Sequence, residues 1–148
     1  MADSRNAMKQ VIEIWARNRA TMHDVGGEIT LQIPMYPIHD HSTCLHVVEH
    51  DDGTFGLTDG GEIAGELSTN GFDPTEASDE MVQRTCEYHG VTRSRTPDEE
   101  QCHAIGKLDI ENVTAENINN KISDMACAIV QIYSLHFLRD IKFVRWID

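Results

Sequence analysis

The sequence predicts an α+β fold in a single domain over residues 1–148: an antiparallel sheet packed against a long C-terminal helix, with additional short helices. Three observations carry that prediction. Tyr36 to Leu67 holds two strand-like runs on either side of Asp51-Asp52-Gly53, the pattern of a hairpin. Glu28 to Ile33 alternates Ile29, Leu31 and Ile33 with Thr30 and Gln32, as a half-buried strand does. From Thr114 to about Arg139, Ile118, Ile122, Met125, Ile129, Ile132 and Tyr133 recur at helical spacing, which predicts the longest helix and its inner face.

In chain order, Asp3 or Ser4 is expected to cap a first helix carrying Met8, Val11, Ile12 and Trp15 inward, with Arg17 and Arg19 in its last turn. Met22 to Gly27 reads as a loop before the strand at Glu28. Pro34 and Pro37 make Met35 to His41 irregular or an edge. The central hairpin follows, and its register is fixed by burial. A three-residue loop with Gly53 left-handed sets Glu49 opposite Phe55, Val47 opposite Leu57 and His50 opposite Thr54. Leu45, Val47, Phe55 and Leu57 then share one face, and His46, Val48, His50, Gly56 and Thr58 the other. A slip of one residue would mix the two sets.

Asp59-Gly60-Gly61-Glu62 reads as a capping box opening a short helix with Ile63 and Leu67, ended by Asn70-Gly71. Asp73 with Pro74 and Glu76 is expected to start the next helix, with Met81, Val82, Thr85 and Tyr88 inward and Gly90 closing it. Val91 to Arg95 and Gln101 to Leu108 read as two weaker strands around Thr96-Pro97-Asp98-Glu99. In the long helix, Val130, Leu135, Phe137 and Leu138 widen the apolar belt, and Phe143, Val144 and Trp146 follow it. That predicts a docked tail over residues 140–148 and a homodimer through the C-terminal helix and tail.

Composition excludes several function classes. The net charge of −13 argues against direct binding to a phosphate backbone, since like charges repel before contact, and fits a basic protein partner. With only four lysines, adaptation to high salt explains the same surplus, as does plain solubility. No apolar run reaches the roughly 18 residues of a membrane span, so no membrane partner is expected. MADSRNAMKQ lacks the apolar core of a signal peptide, which predicts a cytoplasmic chain. Cys44, Cys86, Cys102 and Cys127 show no paired spacing and are expected as buried thiols.

Pro37, Asp40, the strand Leu45 to Glu49, the Asp52-Gly53 turn and the Leu57-Thr58-Asp59-Gly60-Gly61-Glu62 run resemble the DUF1828 family, with residues 28–139 as the matching core. The late helix Ile118 to Leu138 fits the end of that domain more loosely. Where family members often carry an acidic residue before the first strand, this chain has Ser42-Thr43. The resemblance implies a bacterial prophage or plasmid setting and a domain of unknown function.

Candidate chemistry is sparse. His39 and His41, at i, i+2 with Asp40 between them, have metal-ligand character on an extended segment. His46 and His50 are separated by roughly 13 Å of strand, too far to share an ion. Asp40 and Asp59, which both match the DUF1828 pattern, form a candidate carboxylate pair for a divalent metal or for acid and base roles, although Asp59 also reads as a helix cap. Cys44 with His46 shares a strand face without support for a thiolate. No nucleophile elbow or phosphate-cradling loop appears. Asp73, Glu76, Asp79, Glu80 and Glu87 form an acidic helix suited to a basic groove. With the mobile-element setting that the resemblance implies, the expected function is an acidic, non-enzymatic accessory protein of such an element, without a cofactor, inhibiting or regulating a basic nucleic-acid-handling host protein. The alternative is a metal-dependent hydrolase or nuclease using His39, Asp40, His41 and Asp59.

Overall fold

A computed structural model describes residues 2–19, 21–33 and 43–141. Helix α1 (Ala2–Arg19) leads into β1 (Thr21–Val25) and β2 (Glu28–Ile33). The central hairpin is β3 (Thr43–Glu49) and β4 (Phe55–Thr58), followed by α2 (Glu62–Thr69) and α3 (Glu76–His89). Then come β5 (Thr92–Ser94), α4 (Pro97–Gln101), β6 (Lys107–Val113) and the long α5 (Ile118–Ile141). The six strands form one sheet in the order β1-β2-β3-β4-β6-β5, antiparallel at every step. Helices α1, α2 and α3 all pack on α5, and α5 packs on β6, so the fold is α+β.

The hairpin has the expected register. Val47 lies opposite Leu57 and Glu49 opposite Phe55. The His50 amide donates to Thr54 O at 2.8 Å, and Gly53 takes φ 84° in the last loop position. Leu45, Val47, Phe55 and Leu57 are buried, together with Ile29, Leu31 and Ile33 from β2. Burying each such side chain contributes about 1.5–3 kcal/mol, enough to hold the register. From the helices, Met8, Ile12, Ile63, Leu67, Val82, Ile118, Ile122, Met125, Ile129, Ile132 and Tyr133 close the same core.

Several expectations are corrected. Residues 21–25 are a strand, not a loop: Gly26 and Gly27 take φ 63° and 85°, the two positive values of a tight two-residue hairpin turn. Helix α1 starts at Ala2, so Asp3 lies in its first turn, not before it. The box expected at Asp59 is not reciprocal, because Gly61 occupies the N-cap and offers no side chain. Helix α3 is capped by Thr75, whose hydroxyl accepts from Ser78 N while Ser78 Oγ accepts from Thr75 N; Asp73 and Glu76 do not form the box. Its inner residues are Val82 and Cys86, whereas Met81 and Tyr88 are exposed.

Thr96-Pro97-Asp98-Glu99 begins a helix, with a reciprocal Thr96–Glu99 cap and Pro97 in the first turn. The strand expected at 101–108 instead runs 107–113. It carries one extra residue against β4, with Asn112 left-handed at φ 57°. Asn117 Nδ2 donates to Asn112 O, tying this bulge to the start of α5. All four cysteines are free, but Cys102 and Cys127 are exposed, against the expectation of burial. On α5, Cys127, Val130, Gln131 and Ser134 face solvent, so the apolar belt does not close round its described part. The side chains of Trp15, Phe137 and Leu138, and the tail with Phe143, Val144 and Trp146, lie outside the described residues. No helix among the described residues is long and apolar enough to cross a membrane.

Candidate interaction surface

Helix α3 is seated firmly. Both ends are closed, by the Thr75–Ser78 cap and by Gly90, and Val82 and Cys86 are buried at 1 % and 0 % exposure. With successive residues about 100° apart, the side opposite Val82 and Cys86 carries two stripes. Glu76, Glu80 and Glu87 fall within an arc of about 40°, and Ala77, Met81 and Tyr88 within a neighbouring arc of about 40°, with Arg84 between them. All of these residues are exposed. Glu80 pairs with Arg84 at 2.6 Å, and Glu87 accepts from Gln83 Nε2 at 3.0 Å. Such solvated pairs contribute about 0.3–0.5 kcal/mol each and leave the carboxylates accessible. Asp73 is exposed on the approach to the helix.

Asp79 is different in kind. Its Oδ1 accepts from Arg93 Nη2 at 2.6 Å and Arg95 Nη1 at 3.0 Å, and His103 Nδ1 lies 3.5 Å from Oδ2. The Arg93 side chain is 2 % exposed and also donates to the carbonyls of Ala104 and Ile105. Partial burial pushes the Asp79 carboxyl up, but the two guanidinium groups outweigh it and hold it below the usual range. Asp79 therefore joins α3 to β5 and the loop before β6, and is spent on the fold, whereas Glu76, Glu80 and Glu87 face outward.

Asp59, from the carboxylate pair, is also structural. It is 0 % exposed, and its Oδ1 accepts from the amides of Gly61 at 2.9 Å and Leu108 at 2.8 Å. Oδ2 accepts from Ile63 N at 3.1 Å. Burial raises its pKa, partly offset by these three donors. One side chain thus satisfies the start of α2 and joins it to β6. Its intended partners, His39, Asp40 and His41, lie outside the described residues. Among the described residues no group of three or more His, Cys, Asp and Glu side chains is placed to hold a metal ion.

The sheet face opposite the core is polar. His50 Nε2 meets Glu111 Oε2 at 2.7 Å, and Ser94 Oγ donates to Asp109 Oδ2 at 2.6 Å, beside Lys107 in a cavity of about 190 Å³. The His50–Glu111 pair crosses β4 at Gly56, where an added Cβ would lie 3.0 Å from Glu111 Oε2 and 3.1 Å from His50 Nε2. His46 instead faces Glu28 at 3.2 Å and Thr30 at 3.3 Å. Sequence reasoning missed Asp109, Glu111 and Ser94, although Leu108 and Ile110 alternating with Asp109 and Glu111 is a strand signal. These groups form two separate pairs among the described residues, His50 with Glu111 and Ser94 with Asp109, rather than a serine–histidine–carboxylate relay. Burial and the nearby Glu62 raise the Cys44 thiol, which keeps it protonated and unlike an activated nucleophile.

The chain matches no family model, no curated protein and no solved structure. The resemblance to the DUF1828 family gains no support from them.

Proposed function

We propose that this chain is an acidic, non-enzymatic binding protein that engages a basic protein partner through the outward face of α3. The observation that carries this reading is the stripe of Glu76, Glu80 and Glu87 on a helix fixed at both ends and along its inner side. A rigid row of carboxylates needs no reordering to meet a cationic surface, and the net charge of −13 steers such a partner in. The same charge disfavours naked nucleic acid. Residence in a mobile element and interference with a nucleic-acid-handling host protein belong to the reading only through the resemblance, and binding does not depend on them. The metal-dependent alternative loses Asp59, whose carboxylate is occupied by three backbone amides.

Capture of partners from cell lysate at low and high salt tests the proposal, with Glu76→Lys/Glu87→Lys as the comparison. Asp79 is unsuitable for reversal, because a lysine there would face Arg93 and Arg95. Basic proteins retained at low salt and lost both at high salt and with the double variant support the reading. Partners that survive both changes would count against it.

A further inference from the structure

We infer that Met81 and Tyr88 are the anchors of the α3 surface, and that its occupant is a basic amphipathic segment of another protein, with lysine or arginine side chains beside an apolar stripe. The inference rests on the binding reading above and adds the apolar half of the contact. Tyr88 is 83 % exposed and Met81 49 %, seven residues apart on one side of the same helix, or about 10.5 Å along its axis. The other large exposed apolar side chains among the described residues, Val48 and Val130, stand singly on β3 and α5. Scattered single residues need no explanation. An aromatic and a methionine two turns apart on one side of a capped helix are the residue types that anchor protein contacts, and a tyrosine loses little rotamer freedom when covered. The Tyr88 ring is further braced edge-on against His89, with centroids 4.9 Å apart.

Charge decides the occupant. A second copy laid α3 against α3 would set Glu76, Glu80 and Glu87 against the same residues when antiparallel, or against Met81 and Tyr88 when parallel, on chains of net charge −13. An anionic membrane surface is repelled for the same reason. A segment with cations beside an apolar stripe matches both stripes at once: its cations meet the glutamates while its apolar side covers Met81 and Tyr88.

The test uses the intact protein and two synthetic peptides, an amphipathic lysine–leucine helix and the same peptide with serine replacing leucine. Calorimetric titration should show the leucine peptide binding more tightly than the serine peptide. Tyr88→Ala and Met81→Ala should each weaken the leucine peptide by about tenfold and leave the serine peptide unchanged. Glu80→Gln/Glu87→Gln should weaken both peptides. Because all four side chains are exposed, melting curves of Tyr88→Ala and Met81→Ala should overlay the wild type, and that of the glutamate variant should lie within about 4 °C of it. If the glutamate variants lose binding while Tyr88→Ala and Met81→Ala retain it, the anchor inference fails and the binding reading stands. If every variant binds like the wild type, or neither peptide binds, both fail.

Discussion

Replacing Asp59 by alanine removes an acceptor shared by three backbone amides, two of them, Ile63 N and Leu108 N, in buried positions. A buried donor left without a partner costs about 1–3 kcal/mol, and the departing charge was itself costly to bury, so the net loss should be about 3 kcal/mol. For a chain of this size that is a fall in melting temperature of about 6–12 °C. Asparagine keeps a carbonyl for Gly61 and Leu108 but turns an amide NH₂ towards Ile63 N, so Asp59→Asn should cost only about 1–2 kcal/mol. Urea unfolding of the three proteins at neutral pH gives the order directly. If Asp59 were instead held for catalysis, removing its buried charge would leave stability unchanged or raise it. An alanine variant as stable as the wild type, or more stable than the asparagine variant, would refute the structural assignment.

Val47 is 7 % exposed between Ile29 and Leu57, so Val47→Asp should bury an unpaired charge and unfold the protein or render it insoluble; a soluble variant with wild-type melting behaviour would show the hairpin register to be wrong. Thr75→Ala removes the cap of α3 and should cost about 1 kcal/mol in denaturant unfolding, an unchanged midpoint being the contrary result. Because the Asp79 carboxyl sits below its usual range in the fold, its contribution is present above the unfolded pKa and is lost as pH falls through the folded value. The stability gap between wild type and Asp79→Asn should accordingly be largest near neutral pH and close in acid, and a gap that widens in acid would contradict the pairing with Arg93 and Arg95.

The sequence was most informative where one face had to be buried. Alternation through Leu45, Val47, Phe55 and Leu57 admits a single hairpin register, and the apolar spacing of Ile118 to Tyr133 admits a single inner face for α5. It was least informative where a long-range polar contact decides. On α3, Met81 and Tyr88 look like core residues by hydrophobicity, yet the helix is turned so that the smaller Cys86 is buried with Val82. Asp79 is held by Arg93 and Arg95 on the next strand and beyond, so its removal from the acidic surface is invisible to local pattern. Likewise, Asp59 reads locally as a cap, but its bond to Leu108 spans 49 residues of chain. Strand β1 was within reach, since Gly26-Gly27 before Glu28 is a two-residue hairpin signal.

The most direct test of acidic recognition is the affinity of the captured basic partner as a function of salt, for the wild type and for Glu76→Lys/Glu80→Lys/Glu87→Lys. The electrostatic reach shrinks to about 8 Å at physiological ionic strength, so wild-type affinity should fall steeply as salt rises, and the triple variant should show no binding at any salt. A partner bound equally well by both proteins, with an affinity indifferent to salt, would contradict the account.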